Sequence, residues 1–300
     1  MHTIGQPFRS VIVLVRFGDR SCPMRPCYVC HQRGIGNESV VYLRTYRLAL
    51  CGRHLKEWIE RRTREAIAEF GLIEPDDRML VAVSGGKDSL ALWWILSEIG
   101  YEADGLFIDL GIPGFSERSR ALCQRMAERL GRELFVVAVD EFAGETIADV
   151  AGRTRKVCAL CGKYKRRAMN EFARMHGYTS IATGHHLLDE AGSLLYNLVN
   201  WSTKFLKGFG PKKQRTDELP AKIKPFVKVL PQAIKALCEH YGIEYQKERC
   251  PYSKGAKTPL YEDFLTKLDE LSPGLIHRFY FQGLKLIGGE LNLRDGEDEG

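Results

Sequence analysis

Between about residues 75 and 200, short apolar runs alternate with stretches whose apolar residues recur at helical spacing, and this alternation limits the fold most. Strands that are separated by helices pair in parallel through right-handed crossovers. The pattern therefore predicts a doubly wound α/β domain with a parallel sheet. The predicted strands are Met79–Val83, Gly105–Ile108, Leu134–Val139 and Ser180–Thr183, and the predicted helices are Asp88–Ile99, Ser116–Leu130, Ala159–His176 and His186–Asn200.

The first predicted strand runs into the string Ser84-Gly85-Gly86-Lys87-Asp88-Ser89, which a helix follows. Glycines let backbone N–H groups approach a phosphate closely, and the N-terminus of a helix adds a positive dipole. The string is not a Walker A loop, which requires Gly-x-x-x-x-Gly-Lys-[Ser/Thr]. Because it lies at the carboxyl end of a strand, where open α/β sheets bind ligands, we expect it to hold phosphate rather than to form an ordinary turn.

Two close pairs of residues, Cys27/Cys30 and Cys51/His54, are separated by a longer loop. Tetrahedral zinc is held by four such ligands in this paired arrangement. The spacing predicts a closed structural site of the Cys₃His type. His31 and Cys22 are alternative ligands, but neither fits the paired spacing.

Cys158 and Cys161 form a further pair, for which the chain has no matching downstream pair. With a third cysteine they could hold a [4Fe–4S] cluster with one open iron. Cys123 and Cys238 share helical stripes with apolar residues and are expected in the core, so Cys250 is the favoured third ligand. The alternatives are a redox pair that forms a disulfide or persulfide, and two inert thiols.

Taken in order, these strings resemble the tRNA 2-thiolation family, which comprises TtuA-type 2-thiouridine and TtcA-type 2-thiocytidine synthetases. These enzymes belong to the PP-loop ATP pyrophosphatases of the adenine nucleotide alpha-hydrolase superfamily. The resemblance covers about residues 24–287. It also includes the strings Phe107–Ile112, Thr183–Glu190, Arg249–Pro251 and Lys254–Lys257, and a lysine, Lys165, four residues after Cys161.

The resemblance implies an enzyme that uses ATP and Mg²⁺ to adenylate the C2 oxygen of a tRNA pyrimidine, which sulfide then replaces. Lys87 would neutralise phosphate charge, Lys165 would serve the α-phosphate or the adenylated oxygen, and Asp189 would orient the base or accept a proton. His185 and His186 receive no catalytic role. The implied ATP-binding residues are Ala82, Val83, Ser84, Gly85, Gly86, Lys87, Asp88, Ser89, Ile108, Lys165, Gly184 and Asp189.

The resemblance further implies that Cys158, Cys161 and Cys250 take part in catalysis as ligands of a [4Fe–4S] cluster, and that Cys27, Cys30, Cys51 and His54 bind Zn²⁺. The sulfur donor would be free sulfide or a thiocarboxylated ubiquitin-like carrier. A cytoplasmic location and a homodimer are also expected by analogy with the family.

Three departures from the family pattern stand out. His186 and Leu188 occupy positions where the family string has asparagine and a first aspartate, so Asp189 would act without a neighbouring carboxylate. No cysteine follows Cys250, so the C-terminal zinc finger of TtuA-type enzymes is missing from this sequence. Residues 1–23 have no family counterpart, and Met24 is the expected native start.

The chain of 300 residues therefore divides into five predicted parts. Its 44% hydrophobic content allows a sizeable core, and no apolar run approaches the roughly 18 residues of a membrane span. Residues 204–228 are polar, basic and rich in proline, which predicts a loop or lid. The parts are an extension (1–23), an N-terminal zinc finger with a linker helix (24–70), a PP-loop ATPase domain with the cluster site (71–230), C-terminal helices that complete it (231–287) and an acidic tail (288–300).

Basic residues cluster in two segments of a chain whose net charge is +6, which is typical of a protein with a polyanionic partner. The resemblance makes that partner tRNA. The alternatives are a PP-loop sulfurtransferase for a small molecule, which would not bind tRNA, and an inactive RNA-binding or redox-sensing metal protein, which would not turn over ATP. The basic residues are Arg153, Arg155, Lys156, Lys163, Lys165, Arg166 and Arg167 around the cysteine pair, and Lys204, Lys207, Lys212, Lys213 and Arg215 in the predicted lid.

Overall fold

The computed structural model describes residues 25–154, 156–253 and 258–289. Its helices are α1 (Tyr28–Gln32), α2 (Gly52–Glu69), α3 (Lys87–Glu98), α4 (Phe115–Leu130), α5 (Val139–Ala143), α6 (Ile147–Ala151), α7 (Val157–Met175), α8 (Leu187–Val199), α9 (Thr203–Leu206), α10 (Pro231–His240), α11 (Thr258–Leu271) and α12 (Leu275–Gly289). Its strands are β1 (Val41–Leu43), β2 (Leu48–Leu50), β3 (Met79–Val83), β4 (Ala103–Asp109), β5 (Leu134–Ala138), β6 (Ser180–Thr183), β7 (Lys212–Lys213) and β8 (Ala221–Ile223).

Several sequence-based expectations concern residues outside this description. They are the extension 1–23 with Cys22, the start at Met24, Arg155, the string Lys254–Lys257 and the acidic tail from residue 290 onward.

The central sheet has six strands in the order β5-β4-β3-β6-β8-β7, of which only β7 runs antiparallel to its neighbour. Val81 in the middle of β3 lies opposite Gly105 of β4 and Ala182 of β6. The predicted doubly wound α/β fold is therefore confirmed. The winding reverses between β3 and β6, and ligands of such sheets bind at the carboxyl ends of the strands beside this reversal.

Apolar side chains cover both faces of the sheet. Successive residues of β3 point to opposite faces, so Leu80 belongs to one apolar cluster and Val81 to the other. The larger cluster also contains Trp93 of α3, whose indole N–H donates to the carbonyl of Ala103 at 2.9 Å. The fold thereby ties α3, which follows the phosphate-binding string, to the start of β4.

The N-terminal finger is part of this larger core. Leu43 and Leu50 of its β1–β2 hairpin and Leu55 of α2 are fully buried members of the cluster. A Cβ atom on Gly52 would lie 1.8 Å from the Nε2 atom of His240 in α10. The finger is therefore packed against the C-terminal helices without room for a side chain at that contact.

The prediction of a loop or lid at residues 204–228 is wrong for its second half. β8 extends the sheet beside β6, β7 pairs with β8, and a 3₁₀ helix covers Pro225–Lys228. Ala221, Ile223 and Phe226 are buried. A three-residue strand between prolines carries too little alternation for the sequence pattern to reveal it.

Several shorter elements also escaped prediction. The helices α1, α5 and α6 have five residues each, α9 has four and the strand β2 has three, so none is long enough to show a period. Among the described helices, none combines the length and the apolar character that crossing a membrane requires.

Candidate active site

The phosphate loop (residues 84–89) joins β3 to α3 and is braced by the Ser89 side chain. The Ser89 hydroxyl accepts a hydrogen bond from the Ser84 backbone N–H and donates one to the Gly86 carbonyl, each at 3.1 Å. Gly85 has a φ of 73°, in the left-handed region that favours glycine. The loop therefore presents backbone groups at the N-terminus of α3, an arrangement that suits an anion.

A cavity of about 620 Å³ opens at the carboxyl ends of β3, β4 and β6, as the reversal of winding predicts. The phosphate loop, the start of α7 and residues 246–253 contribute to its walls. Most of the sequence-predicted site residues line this one cavity. They are Ala82, Val83, Ser84, Gly86, Asp88, Ser89, Ile108, Cys158, Cys161, Lys165, Gly184 and Cys250.

The cavity brings Cys250 to the Cys158/Cys161 pair, from which it is distant in sequence. The Cys158 thiol lies 3.6 Å from the carbonyl of Tyr252, two residues after Cys250. Burial raises the pKa of the Cys161 thiol, and the positive charge of Lys165 offsets part of that effect. All three cysteines are free thiols, and Cys158 is exposed to solvent.

The chemistry of these thiols fits an iron–sulfur cluster better than a single ion. Within the described residues, only the finger forms a group whose ligand atoms all lie within 4.8 Å of one another. Thiolates that hold a cluster bind different iron atoms and so stand further apart than ligands of one ion. Three free thiols on two separate segments around an open cavity have this character.

The other two candidate cysteines lie in the larger apolar core. Burial raises the pKa of both Cys123 and Cys238 to about 12. Cys238 lies against the backbone carbonyl of Lys87, at 3.8 Å. Neither thiol lines the cavity, so the structure places them where the sequence pattern expected them.

Three residues of the expected site do not line the cavity: Gly85, Lys87 and Asp189. The Lys87 ammonium group forms an ion pair with Asp88 at 2.5 Å. The Asp189 carboxylate accepts a hydrogen bond from the backbone N–H of His186 at 2.9 Å, and the His186 ring accepts one from the Asp189 N–H at 3.3 Å. Asp189 thus caps the N-terminus of α8. Capping is the structural alternative to a catalytic role for a carboxylate in the first turn of a helix.

Leu188 does not line the active-site cavity. Its side chain packs on the larger apolar core and lines a small cavity of about 190 Å³ together with Thr45 of the finger and Asp269 of α11. The side chain at this position therefore does not share the cavity with the cysteines.

His185 is a cavity residue to which no role was assigned from the sequence. It is exposed, it lines the cavity, and its Nδ1 atom lies 2.8 Å from the Thr183 hydroxyl. His186, its neighbour, is buried, and burial lowers its pKa. The signal for His185 was its place two residues after the end of β6, because residues that follow the strand ends in this fold face the ligand crevice.

The finger brings its four predicted ligands together. The His54 Nδ1 atom lies 3.2–3.4 Å from the three thiol sulfur atoms, and Cys30 and Cys51 have their sulfurs 4.0 Å apart. A tetrahedral zinc ion with ordinary bond lengths would separate its ligand atoms by about 3.5–3.8 Å. Burial acts to raise the pKa of Cys27, but hydrogen bonds from the Cys30 and Cys51 backbones outweigh it and lower the pKa to about 6. The set therefore fits one tetrahedral ion.

Comparison with known proteins agrees with this geometry. The sequence pattern of a PP-loop domain family matches residues 55–254. The chain is 39% identical to a tRNA-5-methyluridine(54) 2-sulfurtransferase from Thermus thermophilus, over 90% of this chain and 85% of that protein. It is 36% identical to the enzyme of the same name from Pyrococcus horikoshii, over 86% and 84% of the two chains.

A solved structure shares the fold. The U34-tRNA thiolase NcsA from Methanococcus maripaludis, solved with its [4Fe–4S] cluster, superimposes with a TM-score of 0.76 at 21% identity and covers 87% of each chain. At this identity the likeness shows the fold alone.

Proposed function

Because this chain belongs to the tRNA 2-thiolation sulfurtransferases of the PP-loop family, we propose that it uses ATP to activate the C2 oxygen of a tRNA uridine and replaces that oxygen with sulfur. One observation carries the proposal: the phosphate loop, Lys165 and three free cysteines line the same cavity. A nucleotide held by the loop would have its reacting phosphate near the thiols.

We propose 5-methyluridine 54 as the target nucleotide. The relatives named for position 54 are 36–39% identical to this chain. A relative named as a tRNA 2-thiolation protein without that position, NcsA from Haloferax volcanii, is 28% identical. Uridine 34 is the competing position that the experiment below separates.

The first step is an adenylation. The uridine C2 oxygen attacks the α-phosphorus of ATP, the bond to the β-phosphate breaks, and pyrophosphate leaves. The free loop N–H groups and the Ser84 hydroxyl would bind the phosphates while Ser89 braces the loop, and Lys165 would neutralise charge that builds on the α-phosphate. Mg²⁺ would accompany ATP, with Asp88 as the carboxylate of the phosphate loop that lines the cavity.

Adenylation also needs a base. When the C2 oxygen of uridine becomes bonded to phosphorus, the N3 proton must leave. His185 is exposed on the cavity wall and is held by Thr183, so it would accept this proton. We assign Asp189 a positioning role, because its carboxylate fixes the first turn of α8.

In the second step a sulfide replaces the activated oxygen as AMP leaves. Cys158, Cys161 and Cys250 would hold the [4Fe–4S] cluster, and the described residues offer no fourth cysteine in the cavity. When bound, a cluster with one open iron supplies a Lewis acid that keeps sulfide deprotonated. The donor would be free sulfide or a thiocarboxylated ubiquitin-like carrier, and Zn²⁺ would fill the finger site.

The test is anaerobic reconstitution of the full chain, followed by iron analysis and thiolation of unmodified tRNA with ATP and sulfide. We expect about four irons per chain, lost in Cys158→Ala and Cys250→Ala and kept in Cys238→Ala, a matched control outside the cavity. Mass spectrometry of tRNA fragments would locate 2-thiouridine at position 54.

Other outcomes would change the conclusion. Sulfur at position 34 would correct the target alone. ATP turnover with a bound cluster but without thiolated tRNA would favour a small-molecule acceptor, and tRNA binding without ATP turnover would favour an inactive RNA-binding protein. A chain that binds no iron would remove the cluster from the mechanism.

A further inference from the structure

Helix α7 separates two concave surfaces. On one side, Cys158, Cys161 and Lys165 line the active-site cavity. On the other, the same helix forms the wall of a second cavity of about 670 Å³, which we call the basic groove. Its lining residues are Lys163, Arg166, Arg167, Asn170, Glu171 and Arg174 from α7, and Glu218 and Leu219 from the segment before β8.

Three of the four cations that line the basic groove form no ion pair with a carboxylate of the described residues. Arg167 pairs with Glu171 at 2.7 Å. Among the described residues, no carboxylate lies within 4.0 Å of the charged groups of Lys163, Arg166 or Arg174. Glu218, the second carboxylate of the groove, is therefore not engaged by these cations and leaves them in excess.

The adjacent sheet edge adds further cations. Lys213 of β7 and Lys222 of β8 are direct partners in the strand register. Burial lowers the pKa of Lys222, and repulsion from Lys213 and Arg166 lowers it further, which places these three groups near one another. Such uncompensated charge destabilises the folded state by self-repulsion, and a bound polyanion relieves it.

The lining also identifies the class of partner. Leu219 is the single large aliphatic side chain among the residues that line the groove, and no aromatic ring lines it. An apolar peptide would find little to bury there, whereas arginine and lysine are the residues that bind phosphate oxygens in nucleic acids. The groove therefore suits a nucleic-acid backbone better than a protein segment.

We infer that the basic groove is the docking surface for the phosphate backbone of the tRNA substrate, and that α7 holds the RNA on one face while the target nucleotide enters the cavity on the other. This inference rests on the proposed function. An α-helix with its side chains is about 10–12 Å across, which is the length of about three stacked nucleotides. Backbone contacts in the groove would thus fix a nearby nucleotide at the cavity.

The test compares two double variants of the full chain that each remove two positive charges. Arg166→Gln with Arg174→Gln alters the groove, and Arg64→Gln with Lys285→Gln alters exposed cations on α2 and α12. We measure tRNA affinity against salt concentration by fluorescence anisotropy, with ATP affinity and iron content as checks on folding.

We expect the groove variant to bind tRNA about ten-fold more weakly and to lower the slope of log affinity against log salt by about 1.5–2, while the control variant binds like the unaltered chain. The inference would be overturned if the groove variant bound tRNA as tightly as the unaltered chain, or if the control variant lost as much tRNA affinity as the groove variant. Unchanged tRNA binding with loss of sulfur transfer only from a carrier protein would reassign the groove to that protein. If the unaltered chain bound no tRNA, the proposed function itself would fail.

Discussion

Gly184 lies so close to Asp88 that a Cβ atom on the glycine would be 2.7 Å from the Asp88 carbonyl carbon, and equally close to the backbone nitrogen of Ser89. The residue that follows β6 is thus in backbone contact with the first turn of α3. This contact joins the two strand ends between which the winding of the sheet reverses, and it sets the position of the phosphate loop.

Replacement of this glycine should displace the phosphate loop. We expect Gly184→Ala to lower the free energy of unfolding by about 1–3 kcal/mol, because the methyl group cannot be accommodated without backbone movement. ATP affinity should fall about ten-fold or more as the loop shifts. Calorimetric titration with ATP measures this loss, and Gly152→Ala is the control because a Cβ atom there meets nothing within 4 Å. Equal ATP affinity in both variants would contradict the role of the contact.

Glu262 of α11 should make stability depend on pH. Burial raises its pKa to about 7, and the negative charges of Asp189, Asp263 and Asp88 add to the effect. The folded chain therefore binds this proton more tightly than the unfolded chain. The contribution of the protonated Glu262 to the free energy of unfolding is complete below about pH 4.5 and is lost as pH rises through about 7.

The substitution Glu262→Gln removes this loss. Because the side chain is partly exposed, solvent screening reduces the effect, and we expect the variant to be about 1 kcal/mol more stable than the unaltered chain at pH 8, with no difference near pH 4. Urea unfolding at the two pH values measures it. Glu270→Gln, an exposed position on the same helix, is the control, and an equal gain there would argue against a local origin.

The end of α8 carries a residue in an unfavourable backbone conformation. Trp201 has a φ of 48°, and the hydrogen bonds from Trp201 to Leu198 and from Ser202 to Asn197 form a Schellman motif in which glycine is preferred. Its side chain is 81% exposed and so contributes little packing.

We therefore expect Trp201→Gly to be about 1 kcal/mol more stable than Trp201→Ala, because only glycine adopts this conformation without a steric penalty. Chemical denaturation of the two variants measures the difference. Since both lose the same indole ring, a result in which alanine is equal or better would show that the backbone conformation is not strained.

The proposed base can be tested by its effect on the chemical step. His185→Ala should reduce the single-turnover rate of tRNA adenylation about 10²-fold or more while ATP affinity stays unchanged, because a proton acceptor affects the transition state rather than nucleotide binding. His31→Ala, an exposed histidine of the finger, is the control. A full rate in the His185 variant would transfer the base function to another group or to solvent.

The metal of the finger should stabilise the whole chain. We expect Cys51→Ala to lose the ion and more than about 3 kcal/mol of stability, and a chelator to bring the unaltered chain to the same melting temperature. Elemental analysis and thermal unfolding measure both effects. His31 lies outside the ligand group, so His31→Ala should keep the ion. A metal-free variant with unchanged melting temperature would contradict a structural role.

Features that lie in short contiguous strings could be predicted from the sequence. Features that form where distant segments meet in the fold could not. The phosphate loop and the cysteine pairs were visible because their chemistry depends on short spacings. Cys250 was assigned to the Cys158 pair by elimination and by the family resemblance, because the two residues are 92 positions apart and no local spacing connects them. The fold brings them to one cavity.

The roles of Asp189 and His185 depend on local side-chain geometry, which the spacing of residues in the sequence does not reveal. Asp189 and His186 share a capping arrangement, so a carboxylate that the family pattern makes catalytic is engaged in holding a helix. His185 received no role although it lies two residues after the end of β6, because two adjacent histidines give no indication of which one faces the ligand. The rule that strand ends face the crevice would have selected it.

The hairpin of the finger shares one apolar core with the catalytic domain, and this shared core links metal supply to the abundance of the folded protein. Leu43 and Leu50 belong to the same cluster as Trp93 and Tyr280. Loss of the proposed finger ion would therefore expose core surface next to the catalytic helices rather than unfold an independent module. We expect metal shortage to lower the abundance of the protein through degradation of the unfolded chain, instead of producing a population that is folded but altered in activity.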